Sequence, residues 1–369
     1  MRILVISNMY PSAHAPTFGI FVKNQVEALM KKGNHVEVAA ITNPKTGKKN
    51  VVKKYSSWLW SSFRRLRSAG SAYDIIHAHY AFPSGMLARA FYKRFGTPYI
   101  VTCHGGDLNK MAKKGRFFQK QTEQILQDAA HVIVVGQDLK QQVLDDYHVP
   151  EEKVSMFSMG VDRRVFYPRP QAEIQETLKL SPYEKHILFV GNIIEEKGIA
   201  DLVEAFPKVK NEMPNARLHV VGPAKQEDYL QRLQERIHEL HIAEAVTFHG
   251  PKSQSDVAEW MSAADVFVLP SHLEGFGLVA VEAMACGTPV VGTETGGLVQ
   301  VLGGGAGVLS PPGHPVSLAE HILYVLENKQ ERKHMIEKGY EQAEANDAEN
   351  VTEHVLAIYN EAQQRIEES

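Results

Sequence analysis

Two glutamates eight residues apart, in Ser271-His272-Leu273-Glu274-Gly275-Phe276-Gly277-Leu278-Val279-Ala280-Val281-Glu282, are the side chains best placed to do chemistry in this 369-residue chain. The glycines around Phe276 mark a helix start, leaving Glu274 in the preceding loop and Glu282 inside the helix. The two cannot be an i, i+4 pair on one helical face. Glu282 stands among Val279, Val281, Ala283 and Met284, where a carboxylate needs a partner because an unpaired charge in apolar surroundings is costly. A pair of ligand hydroxyls or a salt bridge would supply one.

Three more turns follow strand patterns. Val190-Gly191-Asn192-Ile193-Ile194-Glu195-Glu196-Lys197-Gly198 runs into a helix, so Lys197 either adds full charge to a helix N-terminus where an anion docks or is a solvated loop lysine. Thr102-Cys103-His104-Gly105-Gly106-Asp107 holds His104 between a strand end and two glycines, able to donate to a ligand or to serve structure alone. His77 and His79 on the preceding strand read as structural. Gly19 either lets backbone approach a phosphate or is a turn glycine. No Gly-x-Gly-x-x-Gly or Walker sequence accompanies these turns.

Such turns belong at the carboxyl ends of parallel strands, where helix N-termini gather and ligands bind. Short β-branched runs do alternate with helical-period segments, predicting strands at 3–7, 36–41, 75–78, 99–102 and 132–135, then at 187–190, 218–221, 246–249, 266–269 and 289–291. From Val316 onward the pattern is helical only. The fold class is α/β, with the Pro-bearing polar segment Tyr167–Pro182 between two wound units: residues 1–166 and residues 167–349.

Composition agrees with a globular chain: 44% hydrophobic, 22% charged, 27 Gly and 18 Pro exclude disordered, collagen-like and disulfide-scaffold classes. Cys103 and Cys286 are too few for a disulfide framework and too far apart for Cys-x-x-Cys, so a reducing compartment is expected. The apolar start Ile3–Ile6 is short of a signal h-region, and no run approaches the ~18 apolar residues of a membrane span. The net charge of −3 conceals opposed parts: residues 1–165 hold 24 basic and 12 acidic side chains, residues 166–369 hold 16 and 31.

Taken in order and spacing, Gly19, His104-Gly105-Gly106-Asp107, Gly160-Val161-Asp162 with Phe166, Gly191 to Lys197-Gly198, and Glu274-Gly275-Phe276-Gly277 to Glu282-Ala283-Met284-Ala285-Cys286-Gly287-Thr288-Pro289 resemble the retaining glycosyltransferases of family 4. The likeness covers nearly the whole chain. The opening Asn8-Met9-Tyr10-Pro11 with Gly19–Gln25 looks most like the branch building cell-wall and exopolysaccharides, including teichuronic acid transferases. The resemblance implies a GT-B fold: two Rossmann-like domains facing each other across a cleft, an N-terminal acceptor domain and a C-terminal donor domain, with a helix at about 350–369 packing back on the first. It implies that Glu282 binds the ribose hydroxyls of a nucleotide sugar and Glu274 the sugar hydroxyls. Backbone N–H groups near Phe276, Gly277 and Leu278, with Lys197, would stabilise the diphosphate, Gly19, Gly191, Asn192 and Gly275 would also belong to the donor site, and His104 would sit beside the transferred sugar. The family usually has Arg where this chain has Asn192, so either another cation substitutes or the leaving group is held more weakly. The chain has no Asp-x-Asp and no metal-ligand spacing, which predicts transfer without a metal or other cofactor.

Between Glu37 and Asp74 there is no acidic residue, while Lys45, Lys48, Lys49, Lys53, Lys54, Arg64, Arg65 and Arg67 interleave with Trp58, Leu59, Trp60, Phe63 and Leu66. Leu59, Phe63 and Leu66 have helical spacing, predicting an amphipathic element that contacts an anionic membrane surface and a lipid-linked saccharide acceptor at the inner leaflet, with a solvated basic helix as the alternative. No nucleic-acid motif is present. The competing functions are a GT-B-fold sugar-nucleotide epimerase and a nucleotide-sugar-binding protein without turnover; the Glu274/Glu282 pair with Lys197 disfavours both.

Overall fold

The alternating strand and helix patterns wind into two parallel six-stranded sheets in the computed structural model, which describes residues 1–44, 48–69 and 72–367. The side chains of 48, 49, 51, 66–69, 110, 366 and 367 are also outside the description. One unit comprises Met1–Gly160 with Ala348–Ser369, the other Val161–Asp347. Strands β1 (Arg2–Ser7), β2 (His35–Ala40), β3 (Ile75–His79), β4 (Tyr99–Cys103), β5 (His131–Val134) and β6 (Val154–Met156) lie in the order β2-β1-β3-β4-β5-β6. The second sheet holds β7 (Lys185–Val190), β8 (Ala216–Val221), β9 (Val246–Gly250), β10 (Val266–Leu269), β11 (Val290–Thr293) and β12 (Gly307–Ser310), ordered β12-β11-β10-β7-β8-β9. In each sheet the winding direction reverses beside the first strand, between β1 and β3 and between β7 and β10. The loops at the carboxyl ends of those strands therefore border a switch-point crevice, where α/β sheets bind ligands.

Burial on both faces explains the apolar runs. Along β7, Ile187 and Phe189 enter one core with Leu202, Val203 and Phe206 of the helix Ile199–Glu212, while Leu188 and Val190 enter another with Phe267, Val281 and Met284. In the first unit, Val351, Val355, Ile358 and Tyr359 of the last helix, Ala348–Glu367, pack with Ile3, Val22 and Ile100. The chain passes between units at Gly160/Val161 rather than at the expected 166/167, because Val161 and Phe166 are already in the second unit's core. The acidic last helix also moderates the charge contrast: by unit the basic and acidic counts are 23 against 16 and 17 against 27.

Several elements escape the sequence pattern. Among them are the edge strands β6 and β12, of three and four residues. The Pro-bearing polar segment Tyr167–Pro182 contains the helix Gln171–Thr177, fastened by polar contacts: the Gln171 and Gln175 amides both donate to the Ala263 carbonyl, at 3.2 and 2.9 Å.

The basic stretch forms the helix Lys48–Ala69, but with a different face outward. Trp58 is core, 4% exposed, its indole N–H donating to the Ala39 carbonyl at 2.9 Å. Lys54 donates to the Asn43 carbonyl and Arg65 lies 3.7 Å from Glu37, both partly exposed, so of these three residues Trp58 alone is withdrawn from the surface. Val52, Trp60 and Phe63, at 68, 64 and 55% exposure, share the outer face with Lys53 and Arg64, whose guanidinium sits 4.9 Å from the Trp60 ring centroid. Lys45 lies outside the described residues, as do the side chains of Lys48, Lys49, Leu66 and Arg67. Among the described residues no helix is long and apolar enough to cross a membrane.

Candidate functional site

The second unit's switch point is framed by the loops after β7, β8 and β10. After β7, Gly191, Asn192 and Ile193 run beside the loop after β8: the Ile193 N–H donates to the Pro223 carbonyl at 3.0 Å and Ile193 bridges Ala224. Lys197 closes a 3-10 turn, Glu195–Lys197, ahead of the helix Ile199–Glu212. Its ammonium donates to Glu274 Oε2 at 2.6 Å, joining two loops 77 residues apart in sequence, and both side chains are mostly buried. The Ser271 hydroxyl donates to the same oxygen at 3.3 Å. Lys225, next to Ala224, is a second cation here. Burial first, and then the charge of Lys197, lower its pKa. Asn192 is thus flanked by the lysine-bearing loop of the neighbouring strand.

Gly277 adopts a left-handed conformation, φ 93°, and starts the helix Leu278–Ala285. Among the described residues, the backbone N–H groups of Phe276, Gly277 and Leu278 make no hydrogen bond within the protein, the condition in which a helix N-terminus receives an anion. Glu282 lies one turn into this helix. Burial pushes its carboxyl up to about 8, and no cation or hydrogen-bond donor of the described residues meets it. The salt bridge that was one of two readings for Glu282 belongs instead to Glu274.

In the first unit the loops after β1, β3 and β4 border the switch point. Gly19, φ 72°, precedes the helix Ile20–Lys31, and a Cβ there would come within 2.6 Å of the Met9 carbonyl oxygen; close backbone packing alone requires glycine. His104 follows β4 and is half-buried against Phe21 and Tyr80, ring centroids at 4.9 and 4.6 Å. Asp107 holds its loop: the carboxylate accepts the N–H groups of Ala81 at 2.8 Å, Gly105 at 3.0 Å and His104 at 3.2 Å. Burial lowers the His104 pKa to about 3, so the ring is a neutral imidazole. His77 is structural as expected, joined to the Tyr359 hydroxyl at 2.6 Å and Thr102 Oγ1 at 2.7 Å. His79, also expected to be structural, has its Nδ1 3.1 Å from His104 Nε2. The His77-Ala78-His79 alternation put both rings on one side of the strand; that the next loop would return there was not legible. Among the described residues no group of three His, Cys, Asp or Glu side chains is arranged to hold a metal ion, and Cys103 and Cys286 are free and buried.

Comparison with known proteins matches both units. An uncharacterized glycosyltransferase of Methanocaldococcus jannaschii is 27% identical over 376 residues, spanning 97% of this chain and 99% of that protein. The D-inositol 3-phosphate glycosyltransferase of Paenarthrobacter aurescens is 29% identical over 309 residues, 81% of this chain and 75% of that one. Among solved structures, that of Anabaena HepE in complex with UDP shares the fold with a TM-score of 0.81 at 18% identity, covering 98% of this chain and 100% of its own. Residues 19–165 match the family described as Glycosyltransferase Family 4 and residues 170–342 match Glycosyl transferases group 1. With both domains in this order over most of its length, the chain belongs to the group 1, family 4 glycosyltransferases.

Proposed function

We propose that the protein transfers a sugar, with retention, from a nucleoside-diphosphate sugar to a hydroxyl of a lipid-linked saccharide in cell-surface polysaccharide synthesis. The observation that carries the donor reading is Glu282: a half-buried carboxyl that no described residue partners, one helical turn from unbonded N–H groups and in the unit that holds Lys197. Ribose hydroxyls donating to Glu282 would satisfy it, and Glu274 would accept from the donor sugar's hydroxyls. The helix N-terminus and Lys197 would receive the diphosphate, whose developing charge they stabilise as fixed donors stabilise an oxyanion. His104 would act as a hydrogen-bonding partner of the transferred sugar. The anomeric C–O bond breaks, its electron pair leaving with the diphosphate. The acceptor oxygen bonds to the anomeric carbon from the same face and gives its proton to the departing phosphate. Fixed cations and N–H groups supply the charge neutralisation, so no metal is required.

Incubation with a panel of nucleotide sugars, with and without saccharide acceptors, should release nucleoside diphosphate in an acceptor-dependent manner and at the same rate in chelator. The product anomer should match the donor's. An inverted anomer overturns retention, and binding without turnover for every donor returns the protein to the non-catalytic reading.

The outer face of Lys48–Ala69 supports the acceptor reading. Val52, Trp60 and Phe63 are apolar and exposed, and no acidic residue lies on the helix to repel an anionic surface. Each cation near such a surface contributes about 1 kcal/mol, and the exposed rings suit the interface. On this reading the enzyme works in the cytoplasm, peripheral at the inner leaflet. Co-sedimentation with vesicles containing anionic lipid should be strong at low salt and fall at least several-fold in a Trp60→Ser, Phe63→Ser variant, while Trp58→Phe leaves binding intact. No sedimentation of the wild type at low salt overturns the membrane reading and favours a soluble acceptor.

A further inference from the structure

His79 is fully buried, stacked between His77 and His104 with ring centroids at 4.5 and 5.4 Å. Its Nδ1 faces His104 Nε2 at 3.1 Å, and its own Nε2 is buried without a hydrogen-bond partner among the described residues. Burial holds both rings neutral, the effect being larger for His79, where His77 and His104 add to it. Two neutral imidazoles joined by one hydrogen bond have two arrangements. In one, His79 carries its proton on Nε2 and accepts from His104 Nε2–H, which leaves a buried N–H donor with no acceptor. In the other, His79 carries its proton on Nδ1 and donates it to His104 Nε2, and only a bare lone pair is left in the interior. Orphaned buried N–H groups are the rarer defect in folded proteins.

We propose that His79 is a positioning residue that fixes the tautomer of His104. By donating from Nδ1–H to His104 Nε2, it obliges His104 to carry its single proton on Nδ1, the ring nitrogen left to meet a ligand. His104 is thereby a hydrogen-bond donor, not an acceptor, toward an oxygen of the transferred sugar. Phe21 and Tyr80 against the ring, and Asp107 under the loop, restrict its rotation, so that proton placement and ring placement are set by separate groups. The role at the sugar rests on the transferase reading above; the tautomer does not.

The test is the long-range 1H–15N spectrum of ligand-free protein labelled with 15N-histidine at neutral pH, with resonances assigned by His79→Phe and His104→Gln. Nδ1–H patterns are expected for both His79 and His104. In His79→Phe, His104 should redistribute toward Nε2–H, and kcat should fall about 10- to 100-fold with the donor KM changed much less. His79→Asn, whose side-chain N–H occupies nearly the place of Nδ1–H, should restore the His104 Nδ1–H pattern and most of the rate. An Nε2–H pattern for His104 in the wild type overturns the proposal whatever the variants do, as does an unchanged pattern in a folded His79→Phe. The wild-type spectrum needs neither a variant nor turnover. Absence of turnover with every nucleotide sugar would therefore overturn the transferase reading, while the spectrum alone decides the tautomer.

Discussion

Replacing Lys197 with alanine should lower kcat by about 10²–10³-fold, the loss seen when one fixed donor to a developing anion is removed. Lys197 is the cation that the fold holds most firmly at the second switch point: its turn is anchored by the following helix and its ammonium by Glu274 at 2.6 Å. That ion pair also means that the variant exposes Glu274 to an environment built for a neutralised carboxylate. Lys197→Ala, Glu274→Gln therefore belongs beside the single variant. If charge on the leaving diphosphate is what Lys197 supplies, the double variant stays as slow as the slower single one. If Lys197 merely neutralises Glu274, the double variant recovers much of the lost rate. Lys225→Ala should cost less, about 10-fold, because Lys225 reaches the site from the neighbouring loop without an acidic anchor. Diphosphate release under donor saturation reads all three, and a loss under about 3-fold for Lys197→Ala would remove it from the reaction.

Glu282→Gln should change stability and donor binding in opposite ways. In the folded protein burial pushes the Glu282 carboxyl up to about 8, from an ordinary value of 4.5. The folded state therefore holds this proton when the unfolded chain has released it. Below pH 4.5 both states are protonated and there is no penalty. As pH rises from 4.5 to 8 the unfolded state gains by ionising and stability falls, levelling off above 8. A shift of this size corresponds to a few kcal/mol, roughly 3–5. Glutamine does not ionise, so Glu282→Gln should melt close to the wild type at pH 5 and about 5–10 °C above it at pH 8.5. Melting curves that stay parallel between those pH values would show that Glu282 is not the strained carboxyl described. Donor binding goes the other way. Two ribose hydroxyls favour the ionised acceptor, so wild-type affinity for a nucleotide sugar should improve between pH 6 and 8, and Glu282→Gln should lose about 10- to 100-fold at pH 8. A more stable protein that binds its donor less well is the signature of a site residue kept at the expense of stability.

Much of this was legible in the chain itself. β-branched runs announced ten of the strands, because a strand buried on both faces must be apolar along its length. The turns after those strands pointed to His104, Lys197, Glu274 and Glu282, because parallel sheets collect ligands at their carboxyl ends and the residue types there are those that bind anions and hydroxyls. The 24-to-12 and 16-to-31 charge counts gave the chain's polarity, but not its division between units, since the acidic last helix belongs to the first. On the basic helix, spacing alone suggested Leu59, Phe63 and Leu66 as the apolar stripe. The indole N–H of Trp58 instead finds the Ala39 carbonyl, and this turns Trp60 and Phe63 outward.

What the sequence by itself determined is the order of elements, the fold class and the set of turns where chemistry must sit, all of which follow from local periodicity and residue type. What only the tertiary structure decided is who partners whom: Lys197 with Glu274, His79 with His104, Lys225 beside Lys197, and Glu282 with none of the described residues. Protonation, tautomer and the strength of a charge depend on burial and on neighbours brought from distant loops. No window of sequence contains both members of such a pair, so the site's chemistry became readable only when the sheets had brought them together.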